Sequence, residues 1–163
     1  MIFIKKKHNS ILYNTLLTLS RNIFFYKDLS LKDSYETRIY LMFIHYSIIL
    51  IILKDNNKKV DQDNYNNLFL NIENNLRELG FGDVSVNKKM KELNKLFYDI
   101  LLKLNKKNEN FDLNRSLISK YFNIFKNNDE KWFKCEKYFK NFYKYCFDKT
   151  DQNVIEEAIN FKL

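Results

Sequence analysis

The chain contains no proline, and its only two glycines, Gly80 and Gly82, stand two residues apart near the middle of its 163 residues. Sandwiches and barrels need such residues repeatedly, for turns with positive φ, for bulges and for protected edges. A helix needs them only at its ends, so a bundle of helices can do almost without them. Hydrophobic residues make up 45% of the chain, enough to close one core at this length. The expected fold is all-α: a single compact helical bundle of about six to seven helices, spanning residues 1–163 as one domain.

Periodicity places the helices. Leu12, Leu16, Leu19 and Ile23 recur at helical spacing and predict a first helix from about Asn9 to Phe25. Asp33 reads as the N-cap of a second, with Glu36 completing a capping box. That helix continues to about Lys54 and is apolar nearly all round from Ile39 to Leu53, which puts it at the centre of the bundle. Its apolar run is shorter than the ~20 residues that cross a bilayer. Met1 to Lys7 opens like a signal peptide, but Asn9, Asn14 and Arg21 interrupt the stretch after it and no small-residue cleavage site appears, so an uncleaved, soluble chain is expected. A third helix, about Asn64 to Leu79, stops at Gly80, with Phe81 folding back on Leu76. Asp83 or Ser85 then caps a fourth, whose inner face carries Val86, Met90, Leu93, Phe97, Ile100 and Leu104. Beyond a polar spacer at 105–110, helices are expected over about Asp112–Phe125 and Asp129–Phe147, with a short last one from near Asp151.

The formal charge is +8, and of the 28 cations only Arg21, Arg38, Arg77 and Arg115 are arginine. Lysine and asparagine in such number are what an AT-rich coding sequence places on solvated faces. Whatever its origin, a basic surface attracts anionic headgroups and RNA. Cys135 and Cys146 are too few for a disulfide framework. On one helix they stand ~16 Å apart, far beyond the ~7 Å that a bridge tolerates. Two reduced thiols fit a cytosolic compartment.

Chemistry-bearing residues are sparse. Arg38 and His45 share a face of the second helix at i, i+7. Two readings fit them: a polar groove that recognises a ligand, or an arginine paired at the helix entrance together with a hydrogen-bonded core histidine. His45 has no positioned nucleophile or acid beside it, and two histidines with two distant thiols cannot assemble a metal site. No catalytic residue, cofactor or metal is expected, and an enzymatic role has little support. Lys88, Lys91 and Lys95 form a cationic stripe that suits RNA phosphates, anionic lipid or plain solvation. Trp132, Cys135, Phe139, Phe142 and Cys146 share one face of the sixth helix, with Lys137, Lys140 and Lys144 across from it. That aromatic face either closes the core or stays partly open to an apolar helix or a membrane surface.

The segment Leu76-Arg77-Glu78-Leu79-Gly80-Phe81-Gly82-Asp83-Val84, with Val86, Lys88, Lys91 and Phe97-Tyr98 after it, resembles the core signature of the ubiquinol–cytochrome c chaperone family. Phe25-Tyr26, Asp33, Arg38 and the Leu41, His45, Leu50 pattern resemble the block that precedes it. The match covers residues 11–104 and extends to the last third only in helical character. Phe81 stands where a valine is usual, and Asp99-Ile100 where the family carries Gly-Arg.

The resemblance implies a non-enzymatic assembly chaperone that binds newly made cytochrome b and supports assembly of the cytochrome bc1 complex. It nominates Arg38, His45, Arg77, Glu78, Gly80, Gly82, Asp83, Lys88, Lys91, Phe97 and Tyr98 as signature or client-binding residues. It further implies an α-proteobacterial type, since the block starts too early for a transit peptide, acting in the cytoplasm at the inner face of the membrane. Expected partners are cytochrome b, the ribosome, an anionic membrane surface and a small partner protein, with no sequence-specific nucleic acid. The mechanism expected on physical grounds is an apolar cleft between the second helix and the aromatic carboxy-terminal helices that receives a nascent transmembrane segment. The contrasting reading is a basic helical module that binds RNA or ribosomes without such a client.

Overall fold

A computed structural model of the chain describes residues 10–104, 111–150 and 153–163, and every regular element among them is helical. The expected amino-terminal stretch through Asn9, the spacer at 105–110 and the Asp151 helix start lie outside the described residues. Helix α1 spans Ile11–Ser20, α2 Ile23–Lys27, α3 Tyr35–Asp55, α4 Gln62–Glu78, α5 Asp83–Lys103, α6 Arg115–Tyr121, α7 Asp129–Asp148 and α8 Val154–Ala158. A 3₁₀ turn over Asn123–Lys126 links α6 to α7.

Helix α3 is the axle of the bundle. It contacts α1, α5 and α7, which surround it, while α4 packs on α5 and α1, and α8 closes against α1 and α7. Its 21 residues are enough in length and apolar character to cross a membrane, more than the apolar run alone suggests, yet 72% of its most apolar window is buried inside the bundle. Leu41, Phe43, Ile44, Ile48, Ile49 and Ile52 are sealed from solvent on every side, as the all-round apolar pattern requires. Truncating one of them, Ile48→Ala for instance, costs about 2–5 kcal/mol.

Local capping chemistry divides the chain more finely than its periodicity. The expected first helix breaks at Arg21-Asn22, because the Asn22 side chain accepts the Phe24 N–H and starts α2 afresh. Serine at 34 takes the capping role expected of Asp33, accepting the Thr37 N–H at 3.2 Å. The expected Asp112–Phe125 helix is two elements: Asn114 caps α6 at Leu117 N–H, and Phe122 turns extended (φ −125°, ψ 87°), sinking its ring and that of Phe125 into the core. Asn128 caps α7 and Asn153 caps α8 in the same way. An asparagine-rich composition thus supplies helix starts in place of the missing prolines and glycines.

Candidate functional site

The signature segment is a helix stop and restart. Helix α4 ends at Glu78 with Leu79 as its C-cap, and Gly80 takes φ +94°, a left-handed conformation that a side chain rarely adopts. The Phe81 N–H donates to the Leu76 carbonyl at 3.2 Å and the Gly80 N–H to the Arg77 carbonyl at 3.0 Å, the double bond pattern of a Schellman turn. Gly82 is the N-cap of α5, not Asp83 or Ser85. Asp83 instead occupies the first turn, where the helix dipole favours its charge, and its carboxylate pairs with the Arg77 guanidinium. Arg77 also holds Glu73 at 3.1 Å, so one cation ties both helices of the hairpin to the turn. These residues set the angle between α4 and α5.

A cleft lies beside the first half of α3, between it, α1 and the end of α4. Its volume is about 390 Å³, and Leu17, Ile39, Met42 and Leu79 make its apolar walls. Arg21, Arg38 and Glu78 supply charge, and Tyr13, Tyr35 and Asn75 supply hydrogen-bonding groups. The Asn75 amide donates to the Tyr13 hydroxyl, and the Tyr35 hydroxyl to the Ile72 carbonyl, which fixes both rings. Arg38 is anchored rather than free: its Nε donates to the Ser34 carbonyl at 3.4 Å and stands 3.9 Å from an Asp33 carboxylate oxygen. A second pocket of about 130 Å³ lies across Tyr35 and Ile39, bounded by Leu76, Lys89, Glu92, Leu93 and Leu96. The two pockets border the last turn of α4, and each is sized for a side chain or two rather than for a whole helix.

Arg38 and His45 do not share this site. His45 is fully buried among the rings of Phe25, Phe139 and Phe142. Its Nδ1 lies 2.6 Å from the Leu41 carbonyl, which can only accept, so Nδ1 carries the proton and Nε2 accepts from the Tyr138 hydroxyl at 2.9 Å. Burial pushes the imidazole down to about 4, against the opposing pull of the Leu41 bond, so it is neutral at physiological pH. Of the two readings of this pair, the structure selects the entrance arginine and the satisfied core histidine.

The same contacts remove the expected client cleft between the second helix and the carboxy-terminal aromatics. Trp132, Cys135, Tyr138, Phe139, Phe142 and Cys146 are all buried, and Phe25, His45 and Phe161 fill the space between α3, α7 and α8. Both thiols are free, and burial raises them, Cys146 to about 12.

The other nominated residues separate by environment. Phe97 is core, wedged among Phe43, Tyr46 and Phe69. Lys88 and Lys91 lie on the solvent face of α5, and Tyr98 is half exposed at its edge. Asp99, at the departure from the signature, has a role of its own. Its carboxylate meets Lys103 at 2.6 Å and Lys120 at 3.1 Å and accepts from the Tyr121 hydroxyl, pinning α6 to α5. Lys103 above all, then Tyr121, hold it well below the usual carboxylate range. Sequence reasoning missed Arg21, Tyr13, Tyr35 and Asn75 as partners of Arg38 and Glu78, because three separate helices bring them together. The only signal in the sequence was the scarcity of arginine.

Compared with known proteins, residues 27–132 match the family described as ubiquinol-cytochrome C chaperone, about two-thirds of the chain. The chain belongs to this family. The matched region runs from the end of α2 into α7 and includes the hairpin turn, the α3 and α4 walls of both pockets, the α5 wall of the smaller one, and the Asp99 junction. Membership indicates a role in assembly of the bc1 complex and a non-enzymatic one, with a client in that pathway. No curated protein and no solved structure matches the chain.

Proposed function

We infer that the protein binds newly synthesised cytochrome b and holds it during assembly of the cytochrome bc1 complex, without catalysing a reaction. The family match over residues 27–132 carries this reading. The paired pockets beside α3 support a way to do it. A helical client segment presents side chains at i, i+3 and i+4, and shallow pockets either side of a ridge suit two such anchors. Tyr35 and Ile39 form the ridge, Leu79 and Met42 give apolar contact, and Arg38, held in place through its Nε by Ser34 and Asp33, lines the cleft with Glu78 as its charged groups. On this proposal the chaperone works in the cytoplasm at the inner face of the membrane that receives its client.

A photo-crosslinking residue placed at Leu79, on the cleft rim, is expected to capture newly translated cytochrome b. The same residue at Phe147, exposed on the far side of α7, is expected to capture little. Arg38→Ala with Glu78→Ala should weaken the first capture several-fold while leaving the fold intact. Equal capture from both positions, or none from Leu79, would remove the cleft from the proposal.

A further inference from the structure

Helix α5 presents one line of side chains to solvent, directly opposite its buried face. Val84, Lys88, Lys91, Lys95, Tyr98 and Leu102 succeed one another at steps of four, three, four, three and four, which keeps them on one side of a helix. Val86, Phe97, Ile100 and Leu104 lie on the other side, in the core. The line is ~27 Å long and straight, so a flat surface can meet all of it at once.

Its chemistry is unusual for a solvated face. Val84 is 86% exposed and Leu102 is 70% exposed, large apolar groups left in water at both ends. Val60 and Leu50 extend the Leu102 end as an apolar groove of about 340 Å³ with Leu101 and Ile51. None of the described carboxylates forms an ion pair with Lys88, Lys91 or Lys95. The acidic groups of α5 itself are engaged elsewhere or turned aside: Asp83 by Arg77, Asp99 by Lys103 and Lys120, and Glu92 in the smaller pocket beside Lys89. On the outer face of α7 the lysines are mixed: Lys134 and Lys140 are paired with Glu130 and Glu136, while Lys137 and Lys144 form no ion pair among the described residues.

We propose that this outward line of α5 is a docking face for an anionic lipid bilayer surface. The unpaired lysines supply attraction to headgroups, and Val84 and Leu102 supply the apolar contacts that sit at the headgroup boundary. Two aliphatic ends and a single half-exposed ring, Tyr98, favour lipid over single-stranded nucleic acid, which is held by successive flat rings on which bases stack. The proposal rests on the membrane siting inferred for the chaperone and names the surface responsible. Docked this way, the chaperone keeps the α3–α4–α5 pockets beside the membrane instead of pressed into it.

Co-sedimentation of the full chain with vesicles tests it without any client, so its failure leaves the cytochrome b reading untouched, and the reverse. Binding is expected to vesicles of phosphatidylcholine with about one-third phosphatidylglycerol, to weaken steeply with salt, and to be absent with phosphatidylcholine alone. Lys88→Gln with Lys91→Gln and Lys95→Gln should lower the affinity about 100-fold, at about one kilocalorie per lysine near the surface. Removing Lys134, Lys137 and Lys144 in the same way should change it less than tenfold. Val84→Ser with Leu102→Ser should weaken binding while preserving its salt dependence. Circular dichroism confirms that each exposed-site variant keeps its helices. Equal losses from the two lysine triples would show net charge alone at work and overturn the proposal. So would tighter α5-dependent binding to single-stranded RNA than to the anionic vesicles.

Discussion

The buried His45–Tyr138 pair makes a measurable demand on stability. The folded imidazole sits at about 4, against 6.5 for a free one, because no water reaches it. At about pH 7.5 it is almost wholly uncharged in both folded and unfolded chains, and the difference has little effect. As pH falls below 6.5 the unfolded chain takes up a proton that the folded chain refuses, so stability is lost progressively until about pH 4. The gap corresponds to about 3 kcal/mol. Tyr138→Phe removes the hydroxyl that donates to Nε2 and leaves a buried acceptor without a partner, a cost of about 1–3 kcal/mol at pH 7. His45→Leu with Tyr138→Phe removes both polar groups and should restore most of that stability. Urea melts from pH 7.5 to 4.5 read all three proteins. The wild type should lose about 2–3 kcal/mol more than the double variant across this window. The same pH slope in both, or a Tyr138→Phe cost under about 0.5 kcal/mol, would refute the assignment of tautomer and burial.

The geometry sets three further outcomes. Gly80→Ala forces a side chain to φ +94° with free space around it, so backbone strain alone should cost about 1–2 kcal/mol and lower Tm by roughly 2–8 °C; Gly82→Ser, at an ordinary φ in the N-cap position, should raise Tm slightly. Asp99→Asn should cost about 1–2 kcal/mol in urea melts and remove a stability contribution that the wild type holds above about pH 4 and loses below it, since the folded carboxyl is depressed. Cys135 and Cys146 should resist a thiol-specific reagent in the native chain and both react in denaturant, with native reactivity at either thiol contradicting the closed α7 core.

The long helices were legible because each carries a sustained pattern. The all-round apolar run from Ile39 could only be a buried axle, and Val86, Phe97, Ile100 and Leu104 repeat at a spacing that fixes the inner face of α5. Gly80 announced the turn because glycine takes positive φ without strain and the chain has only two of them, close together in the signature, whereas the positive φ of Ser30 and Asn57 carried no such signal. What periodicity missed was decided by single side chains: Asn22 and Asn114 accept one N–H each and move a helix boundary by several residues.

The site was less legible for a different reason. Arg38 and Glu78 lie forty positions apart, and only the packing of α4 on α1, with Tyr35 and Phe43 of α3 touching Ile72 and Phe69, puts them in one cleft. His45 shares a helical face with Arg38, yet its partner is Tyr138, 93 residues away, and that contact makes it core. Helical spacing says which residues share a direction. It does not say what lies there.

The central claim is that the chain serves assembly of the bc1 complex through newly made cytochrome b. The most direct measurement is the level of assembled bc1 complex and the half-life of newly translated cytochrome b in cells lacking this gene, with and without the gene restored. Loss of the complex, rapid turnover of cytochrome b and rescue by the wild type are the expected results. Normal bc1 levels with normal cytochrome b lifetime would contradict the account.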